Sequence, residues 1–121
     1  NPDTRFMLFH GGYPWTADIA ALAHYFPNVY TDLRWLPILS TAAAERFLDE
    51  MLDVTTADKI MWGCDTWTPQ ESYGALLAMR EVLSRVLADR VDRGLADRDG
   101  AEVLIERILY RNAAALYRIE R

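Results

Sequence analysis

The chain has 121 residues, enough for one modest domain, and its 51% hydrophobic and 26% charged content is typical of a globular protein rather than a disordered one. A formal net charge of −5 disfavours binding to nucleic-acid phosphates or to anionic membranes. The single cysteine excludes an intrachain disulfide and a multi-cysteine zinc site, and it favours a reducing, cytoplasmic location. No apolar run approaches the roughly 20 residues that span a bilayer.

The first half of the chain reads as strand, helix, strand. An apolar run at 6–9 predicts a strand that ends in His10 and two glycines. Apolar residues at helical spacing predict a helix over 17–26, for which Thr16 is a reasonable N-cap. The β-branched and aromatic run 29–33 predicts a second strand.

The second half reads as helix, strand, helix, helix. A helix starts at Ser40 or Thr41, and a third apolar run at 59–65 ends in glycine, cysteine and Asp65. The capping box that begins at Thr68 opens a helix that runs to about residue 90. After a polar break, a helix over 101–110 is expected, followed by a short last helix that Asn112 caps and that ends near residue 119.

Alternating strands and helices predict parallel strands joined by helical crossovers. Three strands are few for such a sheet, and both outer strands would carry unpaired backbone groups. We therefore expect all of residues 1–121 to form one segment of a larger α/β domain, and strand residues such as Met7, Phe9, Val29, Ile60 and Trp62 to be partly exposed.

Two strands of the predicted sheet end in side chains that can do chemistry. His10 follows the first strand and Asp65 the third, and parallel strands bring their C-terminal ends to the same edge. Each residue has a simpler interpretation, since His10 could merely close a strand against glycines and Asp65 could cap a turn. Together they indicate a metal or acid/base site.

Four segments occur in a telling order: FHGGYPW at 9–15, YFPNVYTDL at 25–33, KIMWGCD at 59–65 and ILYRNAAALY at 108–117. Together they resemble the C-terminal part of the amidohydrolase superfamily, the metal-dependent hydrolases with a TIM barrel. The amidohydrolase-like part of certain glutamine-synthetase fusion proteins is also similar. The resemblance implies strands six to eight and the following helices of a (β/α)8 barrel.

The resemblance implies roles for two residues. His10 matches the family's histidine at the end of strand six and Asp65 its aspartate at the end of strand eight, so both are expected as metal ligands and catalytic groups. The family's other ligands, including the His-x-His of strand one, have no counterpart in this chain. The cofactor would be a divalent metal, most plausibly zinc, which activates water for attack on a carbon–nitrogen or ester bond.

Three further residues are candidates for substrate binding. Arg34 emerges from the second strand and could pair with a substrate carboxylate, although a surface salt bridge explains it equally well. Trp15 and Trp67 follow strand ends and could wall a pocket, or simply pack between loops. Asp32 is expected to make structural hydrogen bonds, and Cys64 to be small and buried beside the site.

Other functions stay open on the sequence alone. Decarboxylases and sugar-acid isomerases of the same superfamily use similar scaffolds, and a non-catalytic α/β module that serves as an assembly surface belongs to a different class. The expected partners are a small-molecule substrate and, through the unclosed sheet, another copy of the chain. Neither nucleic acid nor a membrane is expected.

Overall fold

A computed structural model describes residues 1–119 of the chain. It contains three strands and six α-helices within those residues: β1 Phe6–Leu8, α1 Thr16–Tyr25, β2 Val29–Asp32, α2 Leu36–Leu39, α3 Thr41–Val54, β3 Ile60–Met61, α4 Pro69–Asp92, α5 Arg98–Glu106 and α6 Asn112–Tyr117. A π-helical turn over Arg107–Arg111 joins α5 to α6. The expected order of strands and helices is present, and α2 is an addition that the sequence reading did not include.

The strands form one parallel sheet in the order β1-β2-β3. Phe6 pairs with Val29 and Leu8 with Thr31 on one side of β2, while Thr31 pairs with Ile60 on the other. Successive strands are thus neighbours, each joined to the next through helical crossovers. All three strands run in the same direction, so their C-terminal ends share one edge of the sheet.

Local capping explains where two of the main helices begin. The Ser40 side chain accepts a hydrogen bond from the Ala43 N–H at the start of α3. At α4, Thr68 accepts from the Glu71 N–H while the Glu71 carboxylate accepts from the Thr68 N–H, which completes the expected capping box.

Two predicted caps are wrong. Trp15, without a side-chain cap, precedes α1, and Thr16 is already the first helical residue. Asn112 does not cap a separate helix either, because the chain before it is already helical. Its buried side chain instead donates hydrogen bonds to the carbonyl of Ile60, in β3, and to that of Ala57, just before the strand.

One face of the sheet packs against the helical layer. Val29 and Ile60 lie in the hydrophobic core together with residues of α1, α3 and α4. The expectation that Val29 and Ile60 would be partly exposed is wrong, because their side chains meet the helices. Phe9 is exposed, and Met7 and Trp62 are half-buried, as expected.

Within residues 1–119, no helix has both the length and the apolar character needed to cross a membrane.

Candidate functional site

Each of the three strands is followed by a non-glycine residue in the left-handed region. His10 has φ 62°, Trp35 φ 59° and Asp65 φ 53°. Such backbone geometry is uncommon for residues with a Cβ and is often found at functional sites. All three residues line the same cavity of about 430 Å³ at the C-terminal edge of the sheet, together with Thr66 and Trp67.

The structure brings His10 and Asp65 together. His10 Nε2 lies 3.7 Å from Asp65 Oδ2, and both side chains are partly exposed to the cavity. The two groups are adjacent because only one strand, β2, lies between β1 and β3, and all three strands are parallel. Their expected proximity is present, while their chemical role stays a prediction.

The imidazole of His10 is oriented by a main-chain carbonyl and by an aromatic ring. His10 Nδ1 lies 3.2 Å from the Arg34 carbonyl oxygen. A carbonyl oxygen can only accept, so Nδ1 carries the proton of this bond and, in the neutral ring, Nε2 keeps its lone pair. Trp35 packs edge-to-face on the same imidazole, with ring centroids 5.9 Å apart. Nε2, the atom that faces Asp65, is therefore available to a metal ion or a proton.

Asp32, the last residue of β2, is buried beside the His10 backbone, with only 2% of its surface exposed. Its Oδ1 accepts hydrogen bonds from the His10 N–H at 3.0 Å and the Arg34 N–H at 3.3 Å, and its Oδ2 accepts from Arg34 Nε at 2.6 Å. Burial raises the pKa of Asp32 above its ordinary value, although the His10 N–H and the Arg34 charge offset part of that effect. The expected structural hydrogen bonds of Asp32 are confirmed.

Cys64 is half-buried rather than buried, which corrects the expectation from sequence. Hydrogen bonds from the side chains of Thr66 and Ser72 lower the pKa of its thiol. Those two hydroxyl groups also lie 2.7 Å apart, which ties the loop after β3 to the first turns of α4. Cys64 is not among the residues that line the cavity.

The three candidate substrate-binding residues have different positions. Trp67 lines the cavity and is 97% exposed. Trp15 lies outside the cavity lining, at the start of α1. Arg34 is also outside the lining, and its guanidinium is held by Asp32 and stacks on the Phe9 ring, 3.9 Å from the centroid. Only Trp67 of the three therefore shares the cavity with His10 and Asp65.

Sequence reasoning did not include two residues that line the cavity, Trp35 and Thr66. Trp35 follows β2 as His10 and Asp65 follow the neighbouring strands, although each at a different distance from its strand end. Its place shortly after an apolar run was the available signal. Thr66 follows Asp65 directly and carried no signal of its own.

His10 and Asp65 fit part of a metal site. Two ligand atoms, each about 2 Å from one ion, are separated by up to about 4 Å, and the 3.7 Å between Nε2 and Oδ2 is within that limit. An imidazole nitrogen and a carboxylate oxygen are both zinc ligands. Among the described residues 1–119, however, no three His, Cys, Asp or Glu side chains form a group that could hold a metal ion.

Comparison with known proteins defines the class of this chain. The amidohydrolase family model matches residues 1–119, and the chain belongs to that family. It is 32% identical over 120 residues to protein fluG of Emericella nidulans, a match that covers 98% of this chain and 14% of fluG. The chain also resembles the crystal structure of a proposed metal-dependent hydrolase from Lactobacillus casei, with a TM-score of 0.73 and 27% identity, over 93% of this chain and 29% of that one.

The chain thus spans about a seventh of the curated relative and under a third of the solved structure. The family implies a TIM barrel, and the three parallel strands with helical crossovers are consistent with part of one.

Proposed function

We propose that this chain supplies His10 and Asp65 to the active site of a metal-dependent hydrolase that cleaves a carbon–nitrogen or ester bond. The observation that carries the proposal is the 3.7 Å approach of Nε2 and Oδ2 at the C-terminal edge of a parallel sheet. That edge is where the active sites of TIM-barrel enzymes lie. Family membership and the likeness to the Lactobacillus casei protein support the same reaction class.

The cofactor in this proposal is one divalent ion, most plausibly zinc, held by His10 and Asp65 together with ligands from outside the described residues. When bound, such an ion lowers the pKa of water from about 15.7 toward 7, so that hydroxide is available at neutral pH. His10 Nε2 offers its lone pair because Nδ1 is committed to the Arg34 carbonyl. The Asp65 carboxylate accepts the proton that the attacking water gives up.

The barrel assignment follows from the same proposal. β1, β2 and β3 correspond to strands six, seven and eight of a (β/α)8 barrel, since the histidine and the aspartate of the family stand at the ends of strands six and eight. Phe9 is exposed and Met7 and Trp62 are half-buried, which is consistent with a sheet that further strands would cover. Residues outside this chain would then complete the metal site.

The substrate in this proposal has a planar apolar group beside the bond that is cleaved. Trp35 and Trp67 both line the cavity with His10 and Asp65, and Trp67 is almost fully exposed. Two indole rings beside the reacting groups offer stacking surfaces for such a group. Arg34 pairs with Asp32, so a direct contact with a substrate carboxylate would require that pair to open.

The test measures bound metal and turnover in the full-length protein that contains this chain. Wild type is compared with Asp65→Asn by elemental analysis after dialysis, and by hydrolysis of a panel of aromatic esters and N-acyl amides. Asp65→Asn should lose most of the metal and at least about a hundredfold in turnover, because it removes a charged ligand and a proton acceptor.

Asp58→Asn is the matched control. Asp58 is an exposed aspartate just before β3, at the opposite end of the strand from Asp65, and its replacement should leave metal content and turnover unchanged. An Asp65→Asn protein with the metal content and turnover of wild type would overturn the proposal.

A further inference from the structure

We propose that Asp32 is a positioning residue that sets the tautomer and the orientation of His10. The inference rests on the proposed function only for the role of His10 as a metal ligand. The hydrogen bonds from which it is argued do not depend on any reaction. Asp32 reaches His10 along two routes, one direct and one through Arg34. Both routes end on the turn that follows β1.

The direct route is a hydrogen bond to the backbone of His10. Asp32 Oδ1 accepts the His10 N–H at 3.0 Å, just where the chain leaves β1 and enters the left-handed region. A residue with a Cβ is strained in that region unless its surroundings hold it there. A buried carboxylate that accepts the N–H of the strained residue supplies such a restraint.

The second route passes through Arg34 and ends on the imidazole. Asp32 holds Arg34 twice, through its N–H and its Nε. The carbonyl oxygen of the same Arg34 accepts from His10 Nδ1. Fixing Arg34 therefore fixes the acceptor that places the imidazole proton on Nδ1 and leaves Nε2 facing Asp65.

Asp32 does not touch the cavity itself. It is buried, and among the described residues 1–119 the cavity is lined by His10, Trp35, Asp65, Thr66 and Trp67. Any effect of Asp32 on the site must therefore act through His10 and Arg34. This separates Asp32 from a residue that contacts substrate.

The test reads the His10 tautomer directly. The metal-free full-length protein is labelled with ¹⁵N-histidine, and long-range ¹H–¹⁵N spectra report which ring nitrogen carries the proton, with the His10 signal assigned by comparison with His10→Gln. In wild type the Nδ1–H form should predominate. In Asp32→Ala the ratio of Nδ1–H to Nε2–H should fall about fivefold, the population bias that one net hydrogen bond sustains.

Thr31→Val is the matched control for simple destabilisation. Thr31 is the neighbouring residue of β2, fully buried, and its hydroxyl donates to the Leu8 carbonyl at 2.9 Å, so it also ties β2 to β1 by a side-chain bond. Its replacement should lower the Tm but leave the His10 tautomer ratio at the wild-type value. In Asp32→Asn the amide oxygen can still accept from the His10 N–H, but the amide nitrogen cannot accept from Arg34 Nε. This variant should therefore give a ratio of Nδ1–H to Nε2–H between those of wild type and Asp32→Ala.

The outcomes separate this inference from the proposed function. An unchanged tautomer ratio in a folded Asp32→Ala protein would overturn the positioning role, whatever the metal content, and an equal shift in Thr31→Val would do the same. A shifted ratio in Asp32→Ala alone would support it, even if Asp65→Asn showed no loss of metal and the hydrolase proposal failed.

Discussion

Asn112 Nδ2 donates to the Ile60 carbonyl oxygen at 2.7 Å and to the Ala57 carbonyl at 2.6 Å. The Met61 carbonyl accepts from the Leu33 N–H beside β2, and successive carbonyls of a strand point to opposite sides, so the Ile60 carbonyl points away from β2. Asn112 therefore occupies part of the outer edge of β3 and satisfies a group that would otherwise lack a partner within this sheet.

Replacing Asn112 should destabilise the protein strongly. Asn112→Ala leaves two carbonyls without their donor in a buried setting, and the expected loss is about 3 kcal/mol in the free energy of unfolding, measured by urea denaturation. Asn112→Asp should be at least as damaging, because a carboxylate oxygen would face the two carbonyls. Asn28→Ala is the control, since the half-buried Asn28 also donates to two carbonyls, those of Asn1 and Thr4, but through exposed hydrogen bonds that water can replace. Equal losses at positions 112 and 28 would contradict the edge role.

Trp67→Ala should weaken substrate binding without weakening the fold. Its indole is 97% exposed, so stability should be unchanged, while the KM for an aromatic ester should rise about three- to tenfold. Trp15→Ala is the comparison, because Trp15 is also exposed, at 68%, but lies outside the cavity lining. Steady-state kinetics and thermal melts of both variants check this. A raised KM in Trp15→Ala alone would move the substrate site to Trp15.

Gly12→Ala should destabilise the protein by about 2–4 kcal/mol, because the new Cβ would sit at φ +64° and fall within the Ile19 side chain. Adding Ile19→Ala should recover part of that loss.

Gly74→Ala in α4 should instead stabilise the protein by about 0.5–1 kcal/mol, since nothing lies within 4 Å of the added Cβ. Urea denaturation is measured for wild type, Gly12→Ala, Ile19→Ala, the Gly12→Ala/Ile19→Ala double variant and Gly74→Ala. Strict additivity of the Gly12 and Ile19 changes would contradict the predicted clash.

Lys59 should make stability depend on pH in the alkaline range. Its Nζ donates to the Ala23 and Phe26 carbonyls at 2.6 Å each, at the end of α1. Burial lowers the pKa of Lys59 below 10.5, although the Asp58 charge raises it in part. The folded state therefore releases the proton at lower pH than the unfolded chain does. The stability linked to this group is present in full above pH 10.5 and is lost as the pH falls through the folded-state pKa.

The measurement is the free energy of unfolding of wild type and Lys59→Met between neutral pH and 10.5. The difference should move in favour of wild type as the pH rises. A difference that stays constant over this range, or moves the other way, would contradict the lowered pKa.

Local features of the chain were sufficient to locate most of the secondary structure. The caps at Ser40 and Thr68 act through bonds that span three residues, and the apolar runs that form the strands are continuous in sequence. Thr16 was misjudged because residue type alone does not show whether a helix begins at a cap-forming residue or just after it, and Thr16 is already the first residue of α1. Asn112 was misjudged because residue type does not show that the preceding chain is already helical.

Three residues that the sequence singled out, His10, Asp65 and Trp67, line one cavity, because parallel strands place their ends at one edge; their roles stay predictions. The sequence did not identify Trp35, nor did it separate Trp67 from Trp15. Which aromatic side chain reaches the cavity depends on backbone angles after the strands, such as the φ of 59° at Trp35, that residue order does not reveal.

Only the tertiary structure decided how the site is held together. Apolar runs on both faces of a strand do not tell which face meets the helices, so the burial of Val29 and Ile60 became clear only from packing. The Asp32 carboxylate and the Arg34 carbonyl reach His10 because strand register brings β2 beside β1. Hydrogen bonds between residues far apart in the chain depend on register and packing, and these form only when the whole sheet is assembled.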